Sequence, residues 1–234
     1  MHSKETDILI KKTVNKLIHN KSSKFITMRE KDLILPILNK QRIPYNVYTP
    51  YVDADKCIIY GSVEPTVSCL KIITKNVLKH SDILGSIFTL SIEIDNFGDI
   101  IIDGDNYYII LLSEIESYVL NNLIDIGRYR VKLEKIDMET ISDFKRKFQE
   151  LFVKCNSLRL DGVLAKILNL SRNSVNLLFK EKEVLLNNDL AVNNSYNLKS
   201  GDTFSVRGKG KYKYIGIEKT TKNSSLVLII NKYM

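Results

Sequence analysis

A chain of 234 residues, 44% hydrophobic and 26% charged, suits two or three small domains and holds enough apolar material for their cores. Its formal net charge of +8 favours a polyanionic partner; no run approaches the ~20 apolar residues of a membrane-spanning helix, so a cytoplasmic protein is expected. Cys57, Cys69 and Cys155 lie far apart, form no Cys-x-x-Cys pair and are remote from His2, His19 and His80, which fits thiols used as small hydrophobes and argues against a metal site.

In chain order, residues 4–20 read as a helix with a partial apolar stripe of Ile8, Leu9, Val14, Leu17 and Ile18. Thr27-Met-Arg-Glu30 is a capping-box pattern, in which the threonine oxygen serves the first turn and the glutamate reaches back. A second helix should run to about Asn39, with Pro36 kinking it or marking a late start of its regular turn. Short strands near 44–48 and 56–60 complete an N-terminal α/β unit over 1–65.

Residues 66–136 predict a strand (67–74), a helix (76–90), and two strands (99–102 and 107–111) joined by the turn Asp103-Gly-Asp-Asn106. A helix capped by Ser113 and running to Asn122 follows, then a strand over 127–136. This β-α-β-β-α-β order is the ferredoxin-like, split βαβ arrangement shared by RRM domains, which stack bases on aromatics of their central strands. Tyr107, Tyr108 and Tyr129 are the aromatics at hand, as packing residues or as a stacking platform, although no RNP1-like run accompanies them. Residues 137–156 form a charged connector whose apolar end, Phe148 to Val153, should enter the last domain as a strand. Lys145, Arg146 and Lys147 inside it are a solvated face or an RNA contact.

The last domain, 157–234, carries 13 Lys+Arg against 6 Asp+Glu, while the preceding residues carry 22 against 21. Nearly all the excess charge therefore sits in the last third, the electrostatic footprint of a nucleic-acid partner. Leu160, Val163, Leu164, Ile167 and Leu168 recur at helical spacing; Ser171 stands at an N-cap position before a second helix with Val175, Leu178 and Phe179 inward. Strands are expected at 184–187, 190–196 and 203–206, with turns at Asn187-Asn-Asp189 and Gly201-Asp202. A hairpin of 212–218 with 226–232, closed by Lys222-Asn-Ser224, ends the chain.

If the apolar stripes pack inward, Arg159, Lys166, Arg172, Asn173, Asn176, Lys180 and Lys182 are left as a face of cations and amide donors. Cations attract phosphate regardless of sequence, and amides and guanidinium forks add geometry. Arg207-Gly-Lys-Gly-Lys-Tyr-Lys213 adds a second basic run, Arg207, Lys209 and Lys211 with an interleaved aromatic, read as a bulged strand entry rather than a P-loop. The fold class is α+β with three small domains.

Arg159-Leu-Asp161, Leu164-Ala165, Ser171-Arg172, Val184-x-x-Asn187 and Gly201-Asp202 resemble, in order and spacing, the S4 RNA-binding domain of ribosomal protein S4 and several RNA-modifying enzymes. Val206-Arg-Gly-Lys-Gly-Lys-Tyr212 and the terminal hairpin narrow the resemblance to the YlmH family of bacterial S4 proteins, to which Phe25-Ile-Thr-Met-Arg-Glu30, Ile83-Leu-Gly-Ser86 and Ile126-Gly-Arg-Tyr-Arg-Val-Lys-Leu133 are also similar. Two departures stand out: Met28 replaces the family's usual proline, and Lys182 replaces a glycine before the first strand, so that turn is expected to close differently. The resemblance implies a monomeric, non-catalytic factor without cofactor that binds rRNA and tRNA on the large ribosomal subunit in ribosome-associated quality control. It also implies that Arg159, Ser171, Arg172, Lys180 and Asn187 face RNA.

Two rivals accompany this reading. One is an RNA-modifying enzyme, although residues 1–156 show no Gly-x-Gly-x-x-Gly and no defensible nucleophile–base pair. The other is a scaffold whose S4 module docks a protein.

Overall fold

Helix α1 (Lys4–Ile18) turns Ile10, Val14 and Leu17 inward at three-to-four-residue spacing and leaves Ile8 and Ile18 exposed, a narrower stripe than expected. The computed structural model describes residues 4–187, 189–221 and 225–233, and the chain falls into two compact units, Met1–Lys145 and Arg146–Met234. In the first, β1 (Ile26–Thr27) leads directly into α2 (Met28–Gln41). The Thr27 hydroxyl accepts the Glu30 N–H at 3.2 Å while the Glu30 carboxylate accepts the Thr27 N–H at 2.7 Å, closing the predicted capping box. The helix runs through Pro36 and stops at left-handed Arg42 (φ 56°), after which Ile43 returns its N–H to the Leu38 carbonyl at 3.0 Å. Strands β2 (Asn46–Tyr48) and β3 (Lys56–Tyr60) join β1 in an antiparallel sheet with β3 central. Cys57 and Ile59 face the two helices, and Ile58 points the other way.

A four-stranded antiparallel sheet follows, built from β4 (Val67–Ile73), β5 (Phe97–Asp103), β6 (Asn106–Leu112) and a last strand named below. Helices α3 (His80–Phe88) and α4 (Glu116–Asn122) lie on it. A hairpin of β7 (Asp125–Ile126) and β8 (Tyr129–Arg130) precedes β9 (Lys132–Ile136), and the strand order is β5-β6-β4-β9. Thus β6 is inserted between β4 and β5, the pair that α3 connects.

Three local expectations are corrected. Helix α3 starts later than predicted because the backbone before it has other partners: Asn76 N–H donates to Thr74 Oγ1 and Leu78 N–H to Tyr107 Oη, both at 3.1 Å. Ser113 opens a 3-10 turn and its hydroxyl meets that of Ser68 at 2.7 Å, leaving Ile115 at the N-cap of α4. The expected strand over 127–136 is split: the left-handed turn at Gly127 (φ 58°) folds β7 onto β8, and Val131, whose N–H donates to the Ile124 carbonyl at 2.9 Å, separates β8 from β9.

Each face of this sheet contributes to a core. One carries Leu70, Ile72, Phe97 and Ile109 against Ile83, Ile87 and Val119 of the helices. The other carries Cys69, Ile101, Ile110 and Leu112 against Phe25, Tyr51, Ala54 and Ile58, together with Ile141 of the short helix α5 (Glu139–Ser142). Buried Asp99 sits at this second contact, accepting the Tyr51 hydroxyl at 2.6 Å and the Asp55 N–H at 2.8 Å, and Lys56 donates to the Phe97 carbonyl at 2.7 Å. Burial also pushes the thiols of Cys57 and Cys69 up to about 12, so both stay protonated as small core groups.

The second unit begins with β10 (Phe148–Cys155), the strand expected at the end of the connector, and continues with α6 (Leu160–Ile167) and α7 (Arg172–Lys180). Strands β11 (Val184–Leu186), β12 (Asp189–Leu190), β13 (Thr203–Val206), β14 (Gly210–Thr220) and β15 (Leu226–Tyr233) complete a sheet of order β10-β15-β14-β13-β11-β12. Leu160, Leu164, Val175 and Leu178 from the helices pack on Val153, Phe204, Tyr212, Leu228 and Ile230. The expected strand over 190–196 ends at Leu190, because Asn193 Oδ1 accepts from the N–H (3.0 Å) and hydroxyl (2.7 Å) of Ser195 and forms a local turn. Asn188 in one predicted turn, and the hairpin closure at Lys222 to Ser224, lie outside the described residues.

Asp99→Ala removes the acceptor for two buried donors and should cost about 3 kcal/mol. Urea unfolding of the full chain, followed in the first unit by hydrogen exchange, should show a lower midpoint; an unchanged one would discount Asp99 as a clasp.

Candidate nucleic-acid interface

Helix α7 owes its start to Ser171, whose Oγ accepts the Ser174 N–H at 3.1 Å and meets the Ser174 hydroxyl at 2.8 Å. With Val175 and Leu178 fixed in the core, Asn173, Asn176 and Lys180 fall three and four residues apart on one face, beside exposed Arg172. The helix ends in a six-to-one, five-to-two pair of hydrogen bonds, Glu183 N–H to Leu178 carbonyl at 2.9 Å and Lys182 N–H to Phe179 carbonyl at 3.1 Å. Lys182 occupies the left-handed position with φ 58°. The turn therefore closes as a glycine would close it, contrary to expectation, and a β-carbon is held in a region that disfavours it.

That turn is tied to a second one. Arg207 donates its N–H to the Glu183 carbonyl at 3.0 Å, and β11 pairs with β13 so that Val184 faces Val206. Residues 207–209 connect β13 to β14, with Gly208 (φ 70°) and Gly210 (φ 112°) supplying the positive-φ backbone of a tight hairpin. The basic run is thus a hairpin turn rather than a bulged strand entry. Lys180, Lys182, Arg207 and Lys209 meet at this edge, all exposed and without an ion pair among the described residues.

The other expected residues fall elsewhere. Arg159 is engaged, its Nε and Nη2 donating to the two oxygens of Asp161 at 3.1 and 2.8 Å. Asp161 is buried, and the Arg159 fork, then the Gly162 N–H and the charge of Arg172, hold its carboxyl below the usual range against the opposing effect of burial. Asn187 belongs to the fold: at φ 53° its Nδ2 donates to Asp202 Oδ1 at 2.8 Å and its Oδ1 accepts the Thr203 N–H at 2.9 Å. Val184-x-x-Asn187 and Gly201-Asp202 are two halves of one hydrogen-bonded corner. Lys166 is exposed on α6, and Lys211 is half-buried with its ammonium 4.7 Å from the centre of the Tyr233 ring.

In the first unit, Tyr107 is 2% exposed in the helix-side core, and Tyr108 is half-buried on the opposite face with Lys71 5.9 Å from its ring centre. Both are packing residues. Tyr129 carries the Arg128 guanidinium 5.1 Å from its ring centre, and Arg128 Nη2 donates to the Tyr129 hydroxyl at 2.9 Å, so the exposed cations Arg128 and Arg130 flank the β7–β8 turn.

Sequence reasoning missed one feature. Asn173, Asn176, Lys180 and Lys182 line a cleft of about 690 Å³ whose far wall is the irregular segment after β12. Asn194 closes its end by donating from Nδ2 to Asn176 Oδ1 at 2.9 Å. Leu177, exposed and out of phase with the buried Val175 and Leu178, is the one sign of it in the sequence.

In comparison with known proteins, residues 71–140 match the family model described as "Putative RNA-binding domain in YlmH". The chain is YlmH-like over a longer stretch as well. Across 146 residues it is 30% identical to the Ribosome-associated protein quality control protein P2 of Bacillus subtilis (strain 168), a match covering 61% of this chain and 56% of that protein. The chain thus spans little more than half the length of this curated relative. Among solved structures, the Cell division protein ylmH from Streptococcus pneumoniae shares the fold, with a TM-score of 0.52 and 20% identity over 61% of this chain and 98% of that chain.

Lys182→Gly should relieve the left-handed strain and raise stability by roughly 0.5–1 kcal/mol. A thermal melt showing no gain would remove the argument that this lysine is held at a cost. For Asp161, a lowered folded-state pKa stabilises above the unfolded value of about 3.9 and is lost as pH falls through the folded one. The stability difference between wild type and Asp161→Asn should therefore be full at neutral pH and close below about pH 4. A gap that widens on acidification would contradict the Arg159–Asp161 assignment.

Proposed function

We propose that this chain is a non-catalytic, cytoplasmic RNA-binding protein that acts on the large ribosomal subunit and peptidyl-tRNA in ribosome-associated quality control, through the basic face of an S4 domain. In this reading 1–65 is an N-terminal α/β domain, 66–136 an RRM-like domain, 137–156 a connector and 157–234 the S4 domain. The observation that carries it is the run of Arg172, Asn173, Asn176 and Lys180 along α7 into the edge formed by Lys182, Arg207 and Lys209, exposed cations and amides on rigid elements. Phosphate attraction needs such cations in one place, and the amides supply contacts that depend on RNA geometry.

The matched YlmH segment and the name of the Bacillus subtilis relative support the ribosomal assignment. Arg159, Lys166, Ser171 and Lys211 would contribute at the margins of this face, whereas Asn187 would act by holding the corner at Asp202. The protein would work as a monomer without metal or cofactor. An RNA-modifying enzyme is the rival reading, and turnover by the isolated protein in a modification assay would establish it instead.

Arg172→Ala combined with Lys180→Ala should weaken binding to separated large subunits carrying tRNA. It should also lower the slope of log K against log salt by about 1.5. Sedimentation across a salt series measures both, and unchanged binding with an unchanged slope would move the site off α7.

A further inference from the structure

Beyond the basic edge lie the arginine-flanked turn at Tyr129, the cations around Tyr233, and the cleft beside α7. Of these, the cleft combines apolar walls with a matched hydrogen-bond donor and acceptor. Its long side presents Leu177, 54% exposed, and its far side Leu190 and Val192, 50% and 100% exposed. Exposed apolar side chains grouped around one groove mark a binding surface. Among the described residues no carboxylate lines the cleft, and Lys180 and Lys182 stand at one end. At the other end, the Asn194-to-Asn176 bond leaves the Asn176 NH2 as a donor and the Asn194 Oδ1 as an acceptor.

The far wall is held in place by backbone. Asn194 and Tyr196 accept the Asp161 and Leu160 N–H groups at 2.9 and 2.8 Å, so the segment caps the start of α6 while facing α7. Apolar slot, amide pair and ammonium groups occur together within about 690 Å³, ample for one nucleotide. A duplex keeps its bases stacked and paired and would offer this cleft only phosphates, whereas an unpaired residue offers a planar base with a donor–acceptor edge and a phosphate on the same unit.

We propose that the cleft between α7 and the segment after β12 receives a single unstacked base of an RNA loop or single strand, its plane between Leu177 and Val192, its edge on Asn176 and Asn194, and its phosphate towards Lys180 and Lys182. This rests on the reading of the second unit as an RNA-binding face and names the RNA element that face selects. A peptide would be the alternative occupant of an apolar groove, but the two lysines, with no carboxylate among the described lining residues, favour the polyanion.

The test uses the full chain and two probes: a mixed-sequence RNA strand of about 12 nucleotides, and a ribose–phosphate strand of the same length without bases. Wild type should bind the base-bearing strand more tightly. Leu177→Ser with Val192→Ser should reduce that preference about tenfold. Lys180→Ala with Lys182→Ala should weaken both strands alike and lower the salt slope by about 1.4. Val192→Ser alone, at a fully exposed position, should reduce the preference in the same direction, guarding against a folding defect in the double variant. Equal wild-type affinity for the two strands, or an undiminished preference in both wall variants, overturns the base-binding cleft and points to a peptide occupant. Loss of all salt-sensitive binding by the wild type would instead overturn the RNA-binding reading itself.

Discussion

A four-stranded sheet with a core on each face is the constraint on which the first unit depends. Its helix side is covered by α3 and α4, as the order of elements requires. Its other side is covered by Phe25, Tyr51 and Ile58, and Asp99 joins the layers by accepting two donors that would otherwise be buried unsatisfied. Of the two β6 tyrosines, Tyr107 is in the helix-side core and Tyr108 on the second face is half-buried beside Lys71. Within the matched segment, exposed cations stand at an edge, Arg128 in the turn between β7 and β8 and Arg130 on β8.

The second unit solves a different problem, keeping cations together against their mutual repulsion. Two turns do this. The left-handed end of α7 and the glycine turn after β13 are joined by one backbone hydrogen bond, and each projects its cations outward from a well-packed core. Lys182 sharpens the point: a glycine would fit that backbone without strain, yet the position carries a charge beside Lys180. Arg159, by contrast, is neutralised by Asp161, which sits in the core and orients it.

Much of this was legible in advance. The capping box at Thr27, the N-cap at Ser171 and the apolar spacing of α6 and α7 are local patterns, and short-range hydrogen bonds and periodicity decide such elements. Expectations failed where a distant partner intervened. Ser113 was drawn to Ser68, Leu78 to Tyr107, and the strand after β12 gave way to the turn at Asn193 and to the capping of α6. Asn187 is the instructive case among the site residues: its spacing marked it, but pairing with Asp202 shows the spacing serving a corner of the fold.

By itself the sequence determined the type and order of most elements, the concentration of charge in the last third, and the inward face of α6 and α7, because periodicity and composition act locally. Only the tertiary structure decided which cations share an edge, that Arg159 is engaged, that Tyr107 is buried while Tyr108 is half-buried, and that Leu177 and Val192 line one cleft. Those outcomes depend on strand pairing and on layers stacked between segments far apart in the chain, where one neighbour's acceptor or ring determines what a side chain is free to do.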